Sequence, residues 1–481
     1  MNFKMIKYIL GRMLGIEAVV LLIPAVVCLI YRESCFTSFL ITSAILGVVF
    51  LLTGLKAPED TKIYGKEGFV IVGFAWILWS LFGAIPFTIS GSIPFYLDAV
   101  FETISGFTTT GSTILSEIEG LPMGILFWRC FTHWIGGMGV LVFVLMLTTL
   151  NDKNAMHLMR AEVPGPDKDK IIPKARQNAA LLYKMYLVLT VIEVVLLLLG
   201  GMNLYDSIVH SFSTAGTGGF SNMNASIGAY DSAYIDGVIT IFMILFGVNF
   251  NMYFLLLIKD VKSVFKNEEL RVYLGIIAVA IAAITINICQ MYGGLLHAFR
   301  YASFQVAAII STTGFGTADF DQWPEFSKTV LLMLMMVGAS GGSTGGGMKV
   351  SRIQMIVKSI SREVKQLLHP KSVNVIKVNG KKVSDDAMRG VYIYFFAYMI
   401  ILAVSTLIVS FNNYDFATTF SSVLTTLNNV GPGINLVGST CNFGFFSPLS
   451  KIVLCLDMLI GRLEIFPFLM IMSPTLWKRK F

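Results

Sequence analysis

Charged side chains are scarce in this sequence. Asp, Glu, Lys and Arg make up 14% of its 481 residues, whereas a soluble protein carries about 25%. The shortage extends along the whole chain, and 55% of the residues are hydrophobic. This composition excludes a soluble enzyme with one membrane anchor, a disordered protein and a coiled coil. We therefore expect an all-α polytopic membrane protein.

Clusters of metal-ligating or catalytic residues are also missing. The five histidines are scattered without the spacing of a metal site. The six cysteines form no Cys-x-x-Cys pattern and lie mostly in apolar stretches, which predicts small membrane residues rather than a disulfide framework. The sequence has no cluster of His, Asp or Glu at membrane depth. We therefore predict no catalytic residue, no bound cofactor and no enzyme activity.

Long apolar segments are what the sequence does have. A helix needs about 20 mostly apolar residues to cross the hydrocarbon core. Ten segments qualify, and the last few are long enough to predict a tilt or a break. They lie near residues 8–30, 36–55, 68–90, 122–150, 182–202, 232–258, 272–292, 327–360, 391–411 and 446–476.

The basic residues predict the orientation in the membrane. With the N-terminus inside, 30 of the 36 Lys and Arg residues fall in cytoplasmic segments, as the positive-inside rule requires. Both termini are then cytoplasmic, and the net charge of +7 records topology rather than a nucleic-acid partner. Acidic residues flank the external connections, where they form either a cation-attracting vestibule or ordinary solvated loops.

Four shorter apolar stretches lie near residues 95–107, 204–213, 296–310 and 414–427. They are too short to cross the membrane, so we predict that they are re-entrant. Each ends in a similar polar sequence, and these sequences align on Gly111, Gly216, Gly314 and Gly431. The pattern predicts four repeats of membrane helix, pore loop and membrane helix, all in one orientation around a central pore.

The predicted repeats divide the chain as follows. Two extra transmembrane helices occupy residues 1–60, and the repeats occupy 61–150, 151–260, 261–360 and 361–481. The second and fourth repeats begin with a cytoplasmic loop, and the third has a broken second helix. An alternating-access carrier coupled to protons or sodium is the main alternative, but such carriers commonly use inverted repeats.

The ends of the four stretches have the chemistry of a cation filter. Backbone carbonyls replace the water of a dehydrated cation, and glycine permits the backbone angles that point them inward. The candidate filter residues are Thr109, Thr110, Gly111, Thr214, Ala215, Gly216, Thr312, Thr313, Gly314, Asn429, Val430 and Gly431. The fourth loop has Asn428-Asn429-Val430 instead of a Thr pair, which predicts a filter that is not strictly fourfold.

A run of glycines interrupts the eighth segment at residues 338–347. It is not a Walker A loop, because Met348 separates Gly347 from Lys349. Glycine destabilises a helix, so the run is either a helix-packing surface or a flexible intramembrane loop that acts as a gate. The candidate gate residues are Gly341, Gly342, Ser343, Thr344, Gly345, Gly346, Gly347 and Arg462.

Charged residues within the predicted crossings are costly and face the protein interior. Arg462 lies two residues from Glu464 in the last crossing. It either pairs with a carboxylate, Glu464 included, or, as the family resemblance given below implies, places a positive charge near the pore. We also expect Arg129 to form an ion pair with Glu102 that supports the first re-entrant helix.

The chain resembles the Trk/Ktr/HKT superfamily of potassium and sodium transporters over nearly its whole length. The resemblance lies in Thr108–Ser112, Ser213–Ser221, Ser311–Asp319, Asn428–Gly433, Gly341–Lys349 and Gly461–Pro467. The two extra helices before the first repeat are similar to the bacterial Trk membrane subunit. The resemblance implies potassium uptake across the bacterial inner membrane. Glycine at position 111 favours K⁺ over Na⁺, because serine there accompanies sodium preference in plant relatives.

The resemblance also implies partners. It predicts a homodimer that rests on a cytosolic regulatory subunit of the nucleotide-binding RCK type. The long basic segments 151–177 and 351–389 are the natural docking surfaces, although contact with membrane lipid is an alternative.

Overall fold

The computed structural model describes residues 1–139, 175–372 and 374–477. The chain is mostly helical and has the form of a polytopic membrane protein. An N-terminal hairpin comes first, with α1 (Phe3–Val20), α2 (Leu22–Tyr31) and α3 (Phe36–Thr53). Helices α1 and α2 form one span, which packs against α3.

Two sets of helices follow the hairpin. The first set is α4 (Gly65–Gly83), α5 (Ile85–Ile89), α6 (Tyr96–Phe107) and α7 (Met123–Gly137). The second set is α8 (Ala175–Leu199), α9 (Leu204–Gly216), α10 (Ala233–Phe246), α11 (Phe250–Leu257) and α12 (Val261–Lys266). In each set, a long apolar helix precedes a short buried one, and a second membrane helix follows.

Two further sets complete the chain. The third set is α13 (Glu268–Ile288), α14 (Leu295–Ile310), α15 (Glu325–Val337) and α16 (Val350–Leu368). The fourth is α17 (Asp385–Val409), α18 (Phe416–Asn428), α19 (Pro448–Arg462), α20 (Phe466–Met472) and α21 (Pro474–Trp477). Before α17, the antiparallel strands β1 (Lys377–Val378) and β2 (Lys381–Lys382) form a small hairpin. The described chain is otherwise helical or irregular, in agreement with the predicted all-α class.

The first membrane helix of each set is continuous, whereas the second is interrupted in the second, third and fourth sets. Six spans in the described ranges are long and apolar enough to cross a membrane, and these are the N-terminal pair and the four first helices. Helices α10 and α11 bend by 92° at their junction. The predicted single crossing 327–360 divides into two helices, and the predicted crossing 446–476 divides into three. Positive-φ residues cause the break between α15 and α16 and the break between α19 and α20: Gly338, Gly342, Gly347 and Lys349 in one, Glu464 and Ile465 in the other.

The short buried helices and the second helices pack in a cyclic order. Helix α9 packs against α7, α14 against α10, α18 against α15, and α6 against α19. Each short helix therefore lies against the second helix of the preceding set, and the first set follows the fourth. This arrangement brings the C-terminal ends of α6, α9, α14 and α18 together.

Some predictions fall on residues outside the described ranges. They concern the end of the crossing 122–150, most of the cytoplasmic loop 151–177 and the basic residues 478–480. The count of ten crossings remains a prediction.

Candidate functional site

The four short helices end in the same backbone motif. One or two residues after each helix, the backbone takes left-handed angles, with φ between 54° and 61° at Thr109, Thr217, Thr312 and Asn429. The next amide donates a hydrogen bond five residues back, which is a Schellman-type helix end. These bonds are Thr110 N to Ser105 O, Gly218 N to Ser213 O, Thr313 N to Ala308 O and Val430 N to Thr425 O, at 2.8–3.0 Å.

This motif corrects the predicted alignment of the second loop. Thr217 occupies the position of Thr109, so the counterpart of Gly111 is Gly219 rather than Gly216. Gly219 also has φ of 77°, close to the 84° of Gly111. Thr214, Ala215 and Gly216 are instead the last residues of α9.

Close helix packing explains why Gly216 misled the alignment. A Cβ on Gly216 would lie 2.3 Å from the carbonyl oxygen of His133, and one on Gly137 would lie 2.6 Å from Cα of Gly216. Small residues at such a contact let two helices approach closely. The sequence contained the correct signal, because Gly219 is followed by Phe220 as Gly314 is followed by Phe315.

The four loops contact one another in a closed ring. A Cβ built on Gly111 would lie 2.0 Å from the carbonyl oxygen of Gly218. The same construction on Gly219 meets the oxygen of Thr313 at 2.0 Å. A Cβ built on Gly314 would lie 2.1 Å from the carbonyl oxygen of Val430, and one built on Gly431 would lie 2.9 Å from that of Thr110. We call the segments 109–111, 217–219, 312–314 and 429–431 the loop ring.

The loop ring places one carbonyl from each loop against the next loop's glycine. The four carbonyls belong to Thr110, Gly218, Thr313 and Val430. Any side chain at the glycines would occupy the space of these oxygens, so each glycine is required by the close approach of its neighbour. The fourth loop joins the ring through its backbone although its side chains differ from the others.

Side chains below the carbonyls hold the loops unequally. The hydroxyls of Thr108 and Thr110 are 2.8 Å apart, and those of Ser311 and Thr313 are 2.7 Å apart. Asn429 donates from Nδ2 to Thr110 Oγ1 at 2.9 Å and to the Met458 carbonyl at 2.9 Å. Asn429 thus joins the fourth loop to the first and to α19, a role that a Thr pair lacks the reach to fill.

Threonine is an unusual residue at a left-handed position, and three of the four loops have one there. Left-handed angles in a β-branched residue cost about 1–3 kcal/mol and persist only where the surroundings enforce them. Such strain concentrates at functional sites. The repeated strain at Thr109, Thr217 and Thr312 therefore marks the loop ring as the candidate site.

A cavity of about 110 Å³ opens at one side of the loop ring, and Gly111, Gly219, Gly314 and Gly431 all line it. Among the described residues that line it, none is Asp or Glu. Two of the acidic residues at the external connections form ion pairs: Asp98 with Lys451 at 2.7 Å, and Asp231 with Arg300 at 3.4 Å. The cavity wall therefore gives no support to an acidic vestibule.

A buried ion pair braces the loop ring, as predicted for Arg129 and Glu102. Arg129 Nε lies 2.5 Å from Glu102 Oε1, and both side chains are almost fully buried. Glu102 also accepts from the Ile114 amide at 3.0 Å, and Arg129 donates to the Ser221 carbonyl at 2.7 Å. The pair thus joins α6 and α7 to the segments that follow the first and second loops.

The glycine run forms a non-helical segment, residues 338–349, which we call the glycine loop. It lies directly below the loop ring, because the Gly346 amide donates to Thr312 Oγ1 at 2.6 Å. A Cβ on Gly346 would meet the Asn428 carbonyl oxygen at 2.3 Å. The glycine loop therefore touches the ends of α14 and α18, which is incompatible with a simple helix-packing surface.

The glycine loop is also fastened to the break between α10 and α11. The Ser340 amide donates to the Gly247 carbonyl, and the Phe250 amide to the Gly342 carbonyl, both at 3.1 Å. Glu269, at the start of α13, accepts from the Gly341 amide at 2.7 Å. Sequence reasoning missed Glu269, because its charge at a helix start gave no sign of a contact 72 residues away.

Arg462 connects the glycine loop to α7. Its Nη1 donates to the Thr344 carbonyl and its Nη2 to the Gly137 carbonyl, each at 2.8 Å. Another bond runs from Nη2 to the Gly136 carbonyl. Because a Cβ on Gly136 would lie 1.9 Å from the Phe107 carbonyl oxygen, Arg462 sits immediately below the end of α6. Its positive charge faces the C-terminal end of α7, as favourable helix electrostatics require.

Glu464 makes an ion pair with a different arginine from the one suggested by the sequence. Arg352 Nη2 lies 2.5 Å from Glu464 Oε2, and the Arg352 guanidinium stacks 3.9 Å from the Tyr394 ring. The pair links α16 to the break after α19. It leaves Arg462 directed at backbone carbonyls near the loop ring.

Comparison with known proteins agrees with this architecture. A model of the TrkH family of cation transport proteins matches residues 34–479. The Trk system potassium uptake protein TrkH of Escherichia coli K12 is 36% identical over 484 residues, which cover 99% of this chain and 100% of that protein. TrkG of the same organism is 32% identical over 99% of both chains.

A solved structure gives the same result. The crystal structure of the potassium transporter TrkH from Vibrio parahaemolyticus matches with a TM-score of 0.88 and 34% identity, covering 99% of this chain and 100% of that one. The resemblance noted in the sequence is thereby confirmed. The chain belongs to the TrkH family of cation transport proteins, and it is a membrane transporter rather than an enzyme.

Proposed function

We propose that this protein carries K⁺ into a bacterial cell through a pore formed by four parallel repeats. The closed ring of contacts among the four loops is the observation that carries the proposal. A ring of backbone carbonyls is the known means of replacing the hydration shell of K⁺. The named potassium uptake function of the E. coli relatives supports K⁺ as the transported ion.

The proposed filter consists of the loop ring, with one carbonyl from each loop in each layer. The central layer is formed by the carbonyls of Thr110, Gly218, Thr313 and Val430. Thr214, Ala215 and Gly216 no longer belong to the proposed ion site, and Thr217, Gly218 and Gly219 replace them. Glycine in all four equivalent positions, Gly111 included, favours K⁺.

The proposed gate is the glycine loop together with Arg462. Residues 341–347 contact the underside of the loop ring and contain enough glycine to change conformation at low cost. Arg462 holds that loop against α7 and places a positive charge next to the ion path, which raises the barrier to a cation. Release of the Arg462 bonds would free both elements at once.

The proposed partners are a second copy of this chain and a cytosolic nucleotide-binding regulatory subunit. Helix α16 supports a docking role, because it leads directly from the glycine loop and exposes a row of apolar side chains. These are Val357, Ile360, Val364, Leu367 and Leu368. The proposed location is the bacterial inner membrane with both termini in the cytoplasm, as the distribution of basic residues predicts.

Proteoliposome flux measurements test the proposal. Purified protein in vesicles with a K⁺ gradient should pass K⁺ whether or not a protonophore collapses the proton gradient. An alternating-access carrier coupled to protons would lose net accumulation under the same treatment. Flux that depends on a proton or sodium gradient, with no flux down a K⁺ gradient alone, would refute the pore.

A further inference from the structure

Two cysteines lie side by side at one end of the N-terminal hairpin. Cys28 is in the last turn of α2, and Cys35 immediately precedes α3. Their sulfur atoms are 2.9 Å apart, and both residues are buried. The connecting turn reverses at Arg32, which has φ of 57°. The two thiols are thus held face to face by the backbone of a tight helical hairpin.

The pair is anchored to the first repeat. Glu33, in the same turn, accepts hydrogen bonds from the Met123 and Gly124 amides at 2.6 and 3.0 Å. A Cβ on Gly124 would lie 2.1 Å from Cys28 Sγ. Because residues 112–122 lead from the loop ring to the start of α7, the pair lies on the membrane side where the loop-ring cavity opens.

A metal site is the rival interpretation, since Cys28, Glu33 and Cys35 offer three ligand atoms close together. Two thiolates on one tetrahedral zinc ion, at bonds of about 2.3 Å, stand about 3.8 Å apart. The observed 2.9 Å is too short for that geometry. Both oxygens of Glu33 already accept backbone amides. The geometry favours bond formation between the sulfurs over a bridging ion.

We propose that Cys28 and Cys35 form a redox-active pair that closes into a disulfide on the outer side of the membrane. One cysteine thiolate attacks one sulfur of an external disulfide donor, which forms a mixed disulfide and releases one donor thiolate. The second cysteine then attacks the mixed disulfide and releases the other donor thiolate. The pair loses two electrons and two protons, and the donor disulfide becomes two thiols. The proposal goes beyond the expectation that the cysteines are small membrane residues.

The reduced pair reacts slowly at neutral pH. The hydrogen bond with Cys28, followed by burial, raises the pKa of Cys35 above the usual value of a thiol. Since the thiolate is the attacking species, oxidation should accelerate as the pH rises from 7 to 9. Closure would fix the end of α2 to the start of α3 and hold Glu33 against the first turn of α7.

Peptide mapping of the full chain tests this inference. Trypsin cleaves after Arg32 and so separates Cys28 from Cys35 unless a disulfide joins them. Protein in proteoliposomes is treated with oxidised glutathione at pH 8.5, denatured, alkylated and digested. We expect one linked peptide pair that disappears on reduction, and at least about a tenfold loss of alkylation at both cysteines.

Internal and variant controls make the result decisive. Cys130 and Cys455 are buried without a neighbouring cysteine in the described chain, and they should remain alkylatable after denaturation. The Cys28→Ser variant should yield no linked pair. Full alkylation of Cys28 and Cys35 after oxidation would overturn the inference. So would linkage of either one to another cysteine, or protection of both by Zn²⁺ alone that a chelator reverses.

Discussion

The loop ring and the layer directly beneath it are built on opposite principles. In the loop ring, four segments share the same backbone angles, the same helix-end hydrogen bond and the same glycine contact. Beneath it, the second helices end differently: α7 at Gly137, α10 at a 92° bend, α15 at the glycine loop and α19 at Arg462. Within the residues that the structure describes, the loop ring is fourfold and the layer beneath it is not.

This difference teaches where symmetry is useful. An ion that exchanges its water for carbonyls needs equivalent oxygens on all sides, and the backbone supplies them whatever the side chains are. A gate needs a part that moves relative to its neighbours, and in the proposed gate that part is one long loop held by one arginine. The loop ring keeps its backbone geometry although the fourth loop has different side chains at Asn429 and Val430. In the layer beneath it, four charged residues each occur in one set: Glu269, Arg352, Arg462 and Glu464.

The largest expected effect comes from replacing Gly219, the glycine that the second loop contributes to the loop ring. Gly219→Ser should lower the K⁺/Na⁺ permeability ratio by at least about tenfold, because the side chain must occupy the space of the Thr313 carbonyl. Gly111→Ser should act alike. Bi-ionic flux in proteoliposomes measures the ratio.

Gly216→Ser is the matched control. It should reduce thermal stability through its clash with the His133 carbonyl but leave the permeability ratio of the folded fraction unchanged. If Gly216→Ser alters selectivity and Gly219→Ser does not, the revised alignment of the second loop is wrong.

The next largest effect concerns the ion pair that braces the loop ring. Glu102→Gln leaves the buried Arg129 without its counter-charge and should cost about 3–5 kcal/mol of stability. A melting curve in detergent measures the loss. Glu363→Gln removes a solvent-exposed pair with Arg362 and should cost about 1 kcal/mol or less. Equal losses would contradict the bracing role of Glu102.

Below the ring, loss of Arg462 should increase flux. Arg462→Ala removes both the positive charge and the bonds to Thr344, Gly136 and Gly137, and a tenfold rise corresponds to about 1.4 kcal/mol of barrier. Deletion of residues 341–345 should act in the same direction. Arg462→Lys keeps the charge but loses the fork of hydrogen bonds, so its flux should lie between that of the parent and that of Arg462→Ala. An unchanged flux in folded Arg462→Ala protein would exclude the gate.

A smaller effect is expected at Glu269. Glu269→Gln keeps the size of the side chain but replaces a charged acceptor by a neutral one, which weakens the bond to the Gly341 amide by about 1 kcal/mol. Flux should rise about two- to fivefold at that energy. Glu268→Gln is the control, since Glu268 bonds Gln354 and Lys358 instead of the loop. A larger rise in the Glu268→Gln control would contradict the role of Glu269 in holding the glycine loop.

The smallest effect tests the region above the ring. Burial raises the pKa of Asp321, although the Asn435 amide bond opposes the change. A carboxyl with a raised folded-state pKa favours folding when protonated, so its contribution is lost as the pH rises through that pKa. Asp321→Asn should remove this dependence and shift the melting temperature at pH 7 upward by no more than about 2 °C. A fall in the melting temperature would contradict it.

Most of the fold could be predicted from the sequence, because the relevant signals lie within short segments of the chain. Apolar length marked the continuous first helices, and repeated Thr, Gly and Asn residues marked three of the four loops in the correct register. Glycine density marked the glycine loop. The Arg129–Glu102 pair followed from two charges within apolar segments, which require a partner.

The failures arose where tertiary contacts decide. Thr214–Gly216 and Thr217–Gly219 have similar sequences, and only the packing of Gly216 against α7 reveals which of them leaves the helix. The partners of Glu269 and Arg352 lie 72 and 112 residues away. Cys28 and Cys35 are close because α2 and α3 form a helical hairpin, and the spacing of the two cysteines matches no cysteine motif that would predict it.

Single-channel recording of the purified protein in lipid bilayers tests the central claim most directly. With opposite gradients of K⁺ and Na⁺ across the bilayer, the account predicts discrete unitary currents that reverse near the K⁺ equilibrium potential. Gly219→Ser should move that reversal toward zero. The absence of unitary currents, together with saturable uptake that requires a proton gradient, would contradict it.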